Sequence, residues 1–275
     1  MSVLPIKTLL EAGAHFGHET KRWNPKMAPF IYAKRNGIHI IDLQKTSVLA
    51  DTAYEKIKDV VFRGYDVLFV GTKKQARESI IEYATKSDSP YVANRWLGGT
   101  LTNHEIVRKS IQKLLELEEL EKNNFPGFSK AEISKKRKVL EKLRKNVGGL
   151  VKIQHKLPGI LFVVDTVYEQ NAILEAKRMN IPIVAIVDTN SDPELIDYPI
   201  PGNDDAIRAV SVFCEMVEKA IAEGRNLRKD QSSPIIEKSS TIEDSKNLNS
   251  SVSQSSSSFD TDTNVNTNDD DDMFL

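Results

Sequence analysis

Short apolar runs alternate with longer amphipathic stretches along most of the chain. Gly37–Ile41, Val67–Val70, Ile160–Val164 and Ile181–Val187 are rich in β-branched and aromatic residues. The last three are continuous enough to be buried on both faces, so the four runs read as parallel strands. A fifth short strand is expected to start at Tyr91-Val92. Between these runs, residues 44–62, 73–86, 168–179 and 204–223 carry the helical period and supply crossover helices. This alternation predicts a three-layer α/β fold around a parallel five-stranded sheet.

One segment departs from the alternation. Residues 103–146 have no strand signal, only two helical runs separated by Asn123–Gly127, where proline and glycine interrupt the helix. In the second run Ile133, Lys136, Leu140, Leu143, Val147 and Leu150 recur at spacings of three and four, a short heptad seam. An inserted antiparallel helical hairpin is the expected solution. The body is then 1–102 plus 147–229.

Composition changes the picture at the C-terminus. The chain has 275 residues and a formal charge of -1, but residues 230–275 carry only two bases against ten acids, with 12 serines. Such a segment cannot bury enough apolar surface to offset its ordering entropy and reads as a disordered acidic tail. Residues 1–229 carry the remaining 36 bases against 29 acids, a basic body of about +7. Cys214 is the single cysteine, which excludes internal disulfides and CxxC sites and suits a reducing, cytoplasmic setting. No apolar run approaches the roughly 18–20 residues that span a bilayer, so no membrane partner is expected.

The strand ends carry candidate chemistry, because ligands of open parallel sheets bind outside the carboxyl ends. Gly71-Thr-Lys-Lys74 offers a glycine and two lysines where a helix opens, suited to phosphate but without a Walker ending. Asp165-Thr166 and Asp188-Thr-Asn190 suit either helix capping or a metal. His15 and His18, with Glu19, lack a third and fourth ligand at metal-site spacing, and no metal, cofactor or catalytic constellation is expected.

Between His15 and Lys45 the bases Lys21, Arg22, Lys26, Lys34, Arg35 and Lys45 are interleaved with Phe16, Trp23, Phe30 and Tyr32. Cations for phosphates and planes for stacking are what single-stranded or irregular RNA requires. Residues 130–145 add eight bases against two acids, which fits equally a second RNA-facing surface and a solvated face neutralised within the hairpin by the acidic run Glu116–Glu121.

The long motifs carry a resemblance. Ala14–His18 (AHFGH), Arg22–Met27 (RWNPKM), Asn36–Lys45, Phe69–Ala76, Arg95–Asn103 (RWLGGTLTN), Ile186–Asn190 and Tyr198–Ile207 occur in one order over nearly all of residues 1–229. The chain resembles the family of the bacterial-type small ribosomal subunit protein two. The resemblance implies a doubly wound, flavodoxin-like body with a protruding hairpin, and no enzymatic activity. It implies a structural role in the small ribosomal subunit in translation, binding 16S-type rRNA between head and body. Implied protein partners are the neighbouring small-subunit proteins, including the large messenger-binding ribosomal protein one, which the family helps to dock. On these motifs Lys21, Arg22, Trp23, Asn24 and Lys26 are expected rRNA contacts, with Lys73, Lys74, Arg95, Thr102 and Asn103 beside them. The rival readings are a phosphotransferase using Gly71–Lys74, Asp165 and Asp188, and a regulatory module that docks a partner through the hairpin.

Overall fold

The computed structural model describes residues 2–232. The expected tail lies outside them, except that residues 230–232 continue the last helix. The N-terminal part comprises α1 (Ile6–Glu11) and the strands β1 (Phe16–Glu19), β2 (Ile31–Arg35) and β3 (Ile38–Ile41). These strands form a three-stranded antiparallel sheet in the order β1-β3-β2. A 3₁₀ helix, Pro25–Phe30, fills the β1–β2 connection; the Asn24 side chain caps it by accepting from the Lys26 N–H at 3.0 Å.

The strands differ from the expected set in two ways: β1, β2 and Tyr198–Pro201 are strands the apolar runs do not predict, and β3 lies outside the parallel sheet. The apolar run 37–41 predicts a parallel strand, yet Ile38–Ile41 pairs only with antiparallel partners. The reason is local: Asn36 (φ 51°) and Gly37 (φ 78°) both adopt left-handed conformations, the signature of a two-residue hairpin turn. So short a turn can join only antiparallel neighbours, since parallel pairing needs a crossover of a dozen residues or more.

The rest of the chain alternates helix and strand: α2 (Leu43–Phe62), β4 (Val67–Val70), α3 (Lys74–Lys86), β5 (Tyr91–Val92), α4 (His104–Lys122), α5 (Lys130–Val147), β6 (Ile160–Val164), α6 (Gln170–Arg178), β7 (Ile183–Val187), β8 (Tyr198–Pro201) and α7 (Ile207–Ser232). The five-stranded sheet is parallel throughout in the order β5-β4-β6-β7-β8. Ranked by chain order this is 2-1-3-4-5, the doubly wound flavodoxin-like arrangement. Its fifth strand is β8, whose Pro199 and Pro201 cannot donate to a ladder and are tolerated because β8 is an edge.

Side chains alternate across the sheet. Val67, Phe69, Ile160, Phe162, Val164, Val184 and Ile186 join the core under α2, α3 and α7, while Leu68, Val70, Leu161, Val163, Ile183, Ala185 and Val187 join a second core on the other face. That second core continues into the hairpin through Val107, Ile111, Leu114 and Leu117 of α4 and Leu140 and Val147 of α5. Among the described residues no helix is long and apolar enough to cross a membrane.

The hairpin is staggered. Arg144 of α5 reaches Glu118 and Glu121 near the end of α4, both at 2.8 Å, while His104 at the start of α4 bonds the Ile153 carbonyl at 2.6 Å. Residues 144–153 therefore run antiparallel along α4. The first turns of α5 are covered instead by the connector, with Lys136 over the Phe128 ring at 4.2 Å and Arg137 over Phe125 at 6.0 Å.

Candidate nucleic-acid interface

The carboxyl edge of the parallel sheet gathers the loops that follow β4, β5, β6, β7 and β8, because parallel strands all end on one side. The N-terminal sheet is fastened to the same edge: Thr189, just past β7, accepts from the Asn24 N–H at 2.8 Å through its carbonyl and from the His18 N–H at 2.9 Å through its hydroxyl. Gly17 makes this approach possible, since a Cβ there would lie 2.6 Å from Thr189 Cγ2.

At the centre of the edge is a charge network that joins the strand-end candidates Lys73 and Asp165 to Asp204 and Asp205, which the sequence did not announce. Lys73 Nζ lies 2.9 Å from Asp165, 2.8 Å from Asp204 and 2.6 Å from Asp205. Burial alone lowers the pKa of this ammonium, but the Asp204 charge and the carboxylate hydrogen bonds outweigh it and hold the pKa above its usual value. The Thr72 N–H donates to Glu169 Oε1 at 2.6 Å. Asp165, at φ 68°, also accepts from the Val167 and Tyr168 N–H groups, so it caps the following turn as well as pairing with Lys73.

His18 belongs to this network and not with His15. Its Nδ1 is 3.1 Å from Asp188 and its Nε2 is 3.4 Å from Asp205; the Asp188 hydrogen bond, opposed by burial, raises its pKa to about 8. His15 stacks on Phe16 at 4.0 Å, and burial lowers its pKa. Asp204 is fully buried, its Oδ2 has no partner, and burial, followed by the charges of Asp188 and Asp165, lifts its pKa to about 7. One ligand atom each from His18, Asp188 and Asp204 lies within 4.8 Å of the others; a divalent cation held there would have to displace the His18 proton that the Asp188 hydrogen bond stabilises. His18 and Asp188 were each candidate positions in the sequence, but 170 residues separate them, and no spacing along the chain links either to Asp204.

The expected contact residues divide by what they already touch. Lys21, Arg22, Lys74 and Arg95 are exposed and make no ion pair among the described residues. Trp23 is 38% exposed and packs at a tilt, 5.2 Å between ring centres, against the buried His39, so one part of the ring anchors the loop and the rest faces solvent. Lys26 is held by Asp192 at 2.8 Å and Glu194 at 2.5 Å, and Lys73 by its three aspartates. Thr102 donates its hydroxyl to Glu175, while the exposed Asn103 precedes α4 without a side-chain cap bond.

Thr102 is part of a second organised loop. Glu175 of α6 accepts from Trp96 Nε1 (2.9 Å), from the N–H groups of Gly99 (2.8 Å), Leu101 (3.0 Å) and Thr102 (3.2 Å), and from the Thr102 hydroxyl (3.1 Å). Burial favours the neutral acid, but these donors prevail and hold its pKa below the usual carboxylate value. Of the two readings of the hairpin cations, neutralisation by α4 holds for Arg144 alone. Of the eight bases on 130–145 only Arg144 pairs with α4, and Lys135, Lys138, Lys142 and Lys145, at spacings of three and four, form an exposed stripe without ion pairs among the described residues.

The sequence comparisons agree with this architecture. A family model described as Ribosomal protein S2 matches residues 9–224. The small ribosomal subunit protein uS2 of Mycolicibacterium vanbaalenii is 52% identical over 229 residues, covering 83% of this chain and 84% of its own length. The protein of the same name from Mycobacteroides abscessus is 53% identical over 229 residues, covering 83% of this chain and 82% of its own length. With a family match over most of the described residues and identity above half across both chains, the protein belongs to the ribosomal protein S2 family.

Proposed function

We propose that this protein is a non-enzymatic, structural constituent of the cytoplasmic small ribosomal subunit that binds 16S-type rRNA along the carboxyl edge of its sheet. The observation that carries the proposal is the exposed Lys21-Arg22-Trp23 loop, whose cations are unpaired among the described residues and whose base is fastened at Asn24 to Thr189. Cations on a backbone fastened at Asn24, beside a partly exposed aromatic, meet RNA phosphates and bases at a lower ordering cost than on a free loop, since only their side chains remain to be immobilised. Lys74, Arg95 and Asn103 extend the contact set, whereas Lys26 and Lys73 contribute less because carboxylates already face their charges. The stripe on α5 supplies further phosphate contacts. Neighbouring small-subunit proteins, including the large messenger-binding protein one, complete the set of partners through the family resemblance.

The phosphotransferase reading loses its main support at the loop after β4. Both the Lys73 ammonium and the Thr72 N–H there are satisfied by carboxylates, and the surrounding acids repel an incoming phosphate. The test is the double change Lys21→Ala plus Arg22→Ala: rRNA affinity should fall, and the slope of log K against log salt should flatten by roughly 0.7–0.9 per lost phosphate contact. Unchanged affinity and slope would overturn the assignment.

A further inference from the structure

The loops after β6 and β7 enclose, with Asn24, a cavity of about 170 Å³. Its polar lining includes Asn24, Thr166, Gln170 and Asn190, and its apolar lining is Val167, Ile173 and Leu195. We infer that this cavity receives a single unstacked nucleobase of the bound RNA strand. The inference rests on the RNA-binding reading above and names what one part of that surface recognises.

Size is the first reason. The cavity is well below the roughly 300–1,000 Å³ of sites for larger ligands, so it suits one heterocycle and not a whole nucleotide. Chemistry is the second. A base has apolar faces and an edge of donors and acceptors, and this lining pairs aliphatic side chains with three neutral amides. Asn24 uses its Oδ1 to cap the 3₁₀ helix and Asn190 uses its Oδ1 to accept from the Ser191 hydroxyl. Their Nδ2 groups and the Gln170 amide make no hydrogen bond among the described residues, so donors remain for a ligand. Thr166 is 6% exposed and its Oγ1 is buried without a partner, an unmet demand that rarely persists in a fully dry, closed site.

Charge is the third reason. The ionisable residue on the lining is Asp192, whose carboxylate is already paired with Lys26 at 2.8 Å. An acid there opposes phosphate and tolerates a neutral base. The strand's phosphates fall instead to Lys21 and Arg22, three and two residues before Asn24 in the chain.

The test uses the full chain and two variants at exposed positions of the lining, Gln170→Ala, which removes an amide, and Val167→Trp, which fills space. Each should weaken binding to 16S-type rRNA about tenfold, as for loss of one base contact, while leaving the salt slope unchanged because no counterion is released. In a second arm, adenosine is titrated at millimolar concentration; its edge complements an amide, and it should shift the side-chain amide resonances of Asn24, Gln170 and Asn190, whereas inorganic phosphate should not. Unchanged rRNA affinity in both variants, a flattened salt slope in either, or amides indifferent to adenosine would overturn the pocket. A wild-type chain that fails to bind rRNA would instead overturn the underlying function, and the adenosine titration would then decide the pocket by itself.

Discussion

Glu175 lies inside the loop between β5 and α4, where it replaces water for five N–H and O–H donors. Glu175→Gln keeps the shape but turns one acceptor into a donor facing other donors, and should cost about 1–3 kcal/mol in a urea unfolding series. The pH dependence has a definite sign. The folded pKa is depressed, so the unfolded chain binds the proton more readily. The stabilisation is present above the ordinary value of 4.5 and is lost as pH falls below it. The gap in unfolding free energy between wild type and Glu175→Gln should therefore narrow on going from pH 6 into the acid range. Gly17 is a steric counterpart. Gly17→Ala forces the N-terminal sheet away from Thr189 and should destabilise by about 1–3 kcal/mol, while Gly98→Ala, with open space at its Cβ, should not. Neither role was legible in the sequence. The donors to Glu175 stand 73–79 residues earlier in the chain, and a glycine in a histidine motif gives no hint of the threonine it approaches.

Element ends are closed by local chemistry, whereas pairing between elements depends on residues far apart in the chain. Asp42 accepts from the Gln44 N–H to start α2, and Ser129 and Glu132 form a reciprocal capping box at the start of α5. The two hairpin helices fall within a residue or two of their expected bounds, yet their stagger did not follow from the heptad seam. Leu140, Val147 and Leu150 are buried as expected, but Phe125 in the connector is 2% exposed and takes the place next to α5 that α4 would fill in a symmetric hairpin. Phe125→Ala should accordingly cost about 3–5 kcal/mol, the range for emptying an aromatic site. Arg144→Ala, at a half-exposed ion pair, should cost no more than about 1 kcal/mol. Changing Lys135, Lys138, Lys142 and Lys145 together to Gln leaves the fold stable and should flatten the salt dependence of rRNA binding, read by filter binding from low to high salt. An unaltered slope would show that the stripe is a solvated face.

At the scale of the whole molecule, formal charge misleads because the chain joins segments of opposite sign. Residues 233–275 carry two bases against nine acids, so truncation after Ser232 raises the net charge by seven. That change should tighten non-specific RNA binding at low salt, measured with a random single strand, and have less effect at high salt. The alternation of apolar runs and amphipathic stretches determined the three-layer α/β class, the bounds of most helices and the place of the hairpin, because burial on both faces and helical periodicity are properties of consecutive residues. Tertiary structure decided which strand closes the sheet, since Tyr198–Pro201, with proline at two of four positions, carries no strand signal of its own and is extended only because it is set beside β7 at the edge. It also decided the site. The sequence by itself placed Lys21, Arg22 and Trp23 in one basic aromatic loop, where adjacency along the chain guarantees adjacency in space. Only folding brought Lys73 to Asp165, Asp204 and Asp205 and set Asn24 beside Gln170 and Asn190, because the carboxyl ends of parallel strands meet only after the crossovers between them have closed.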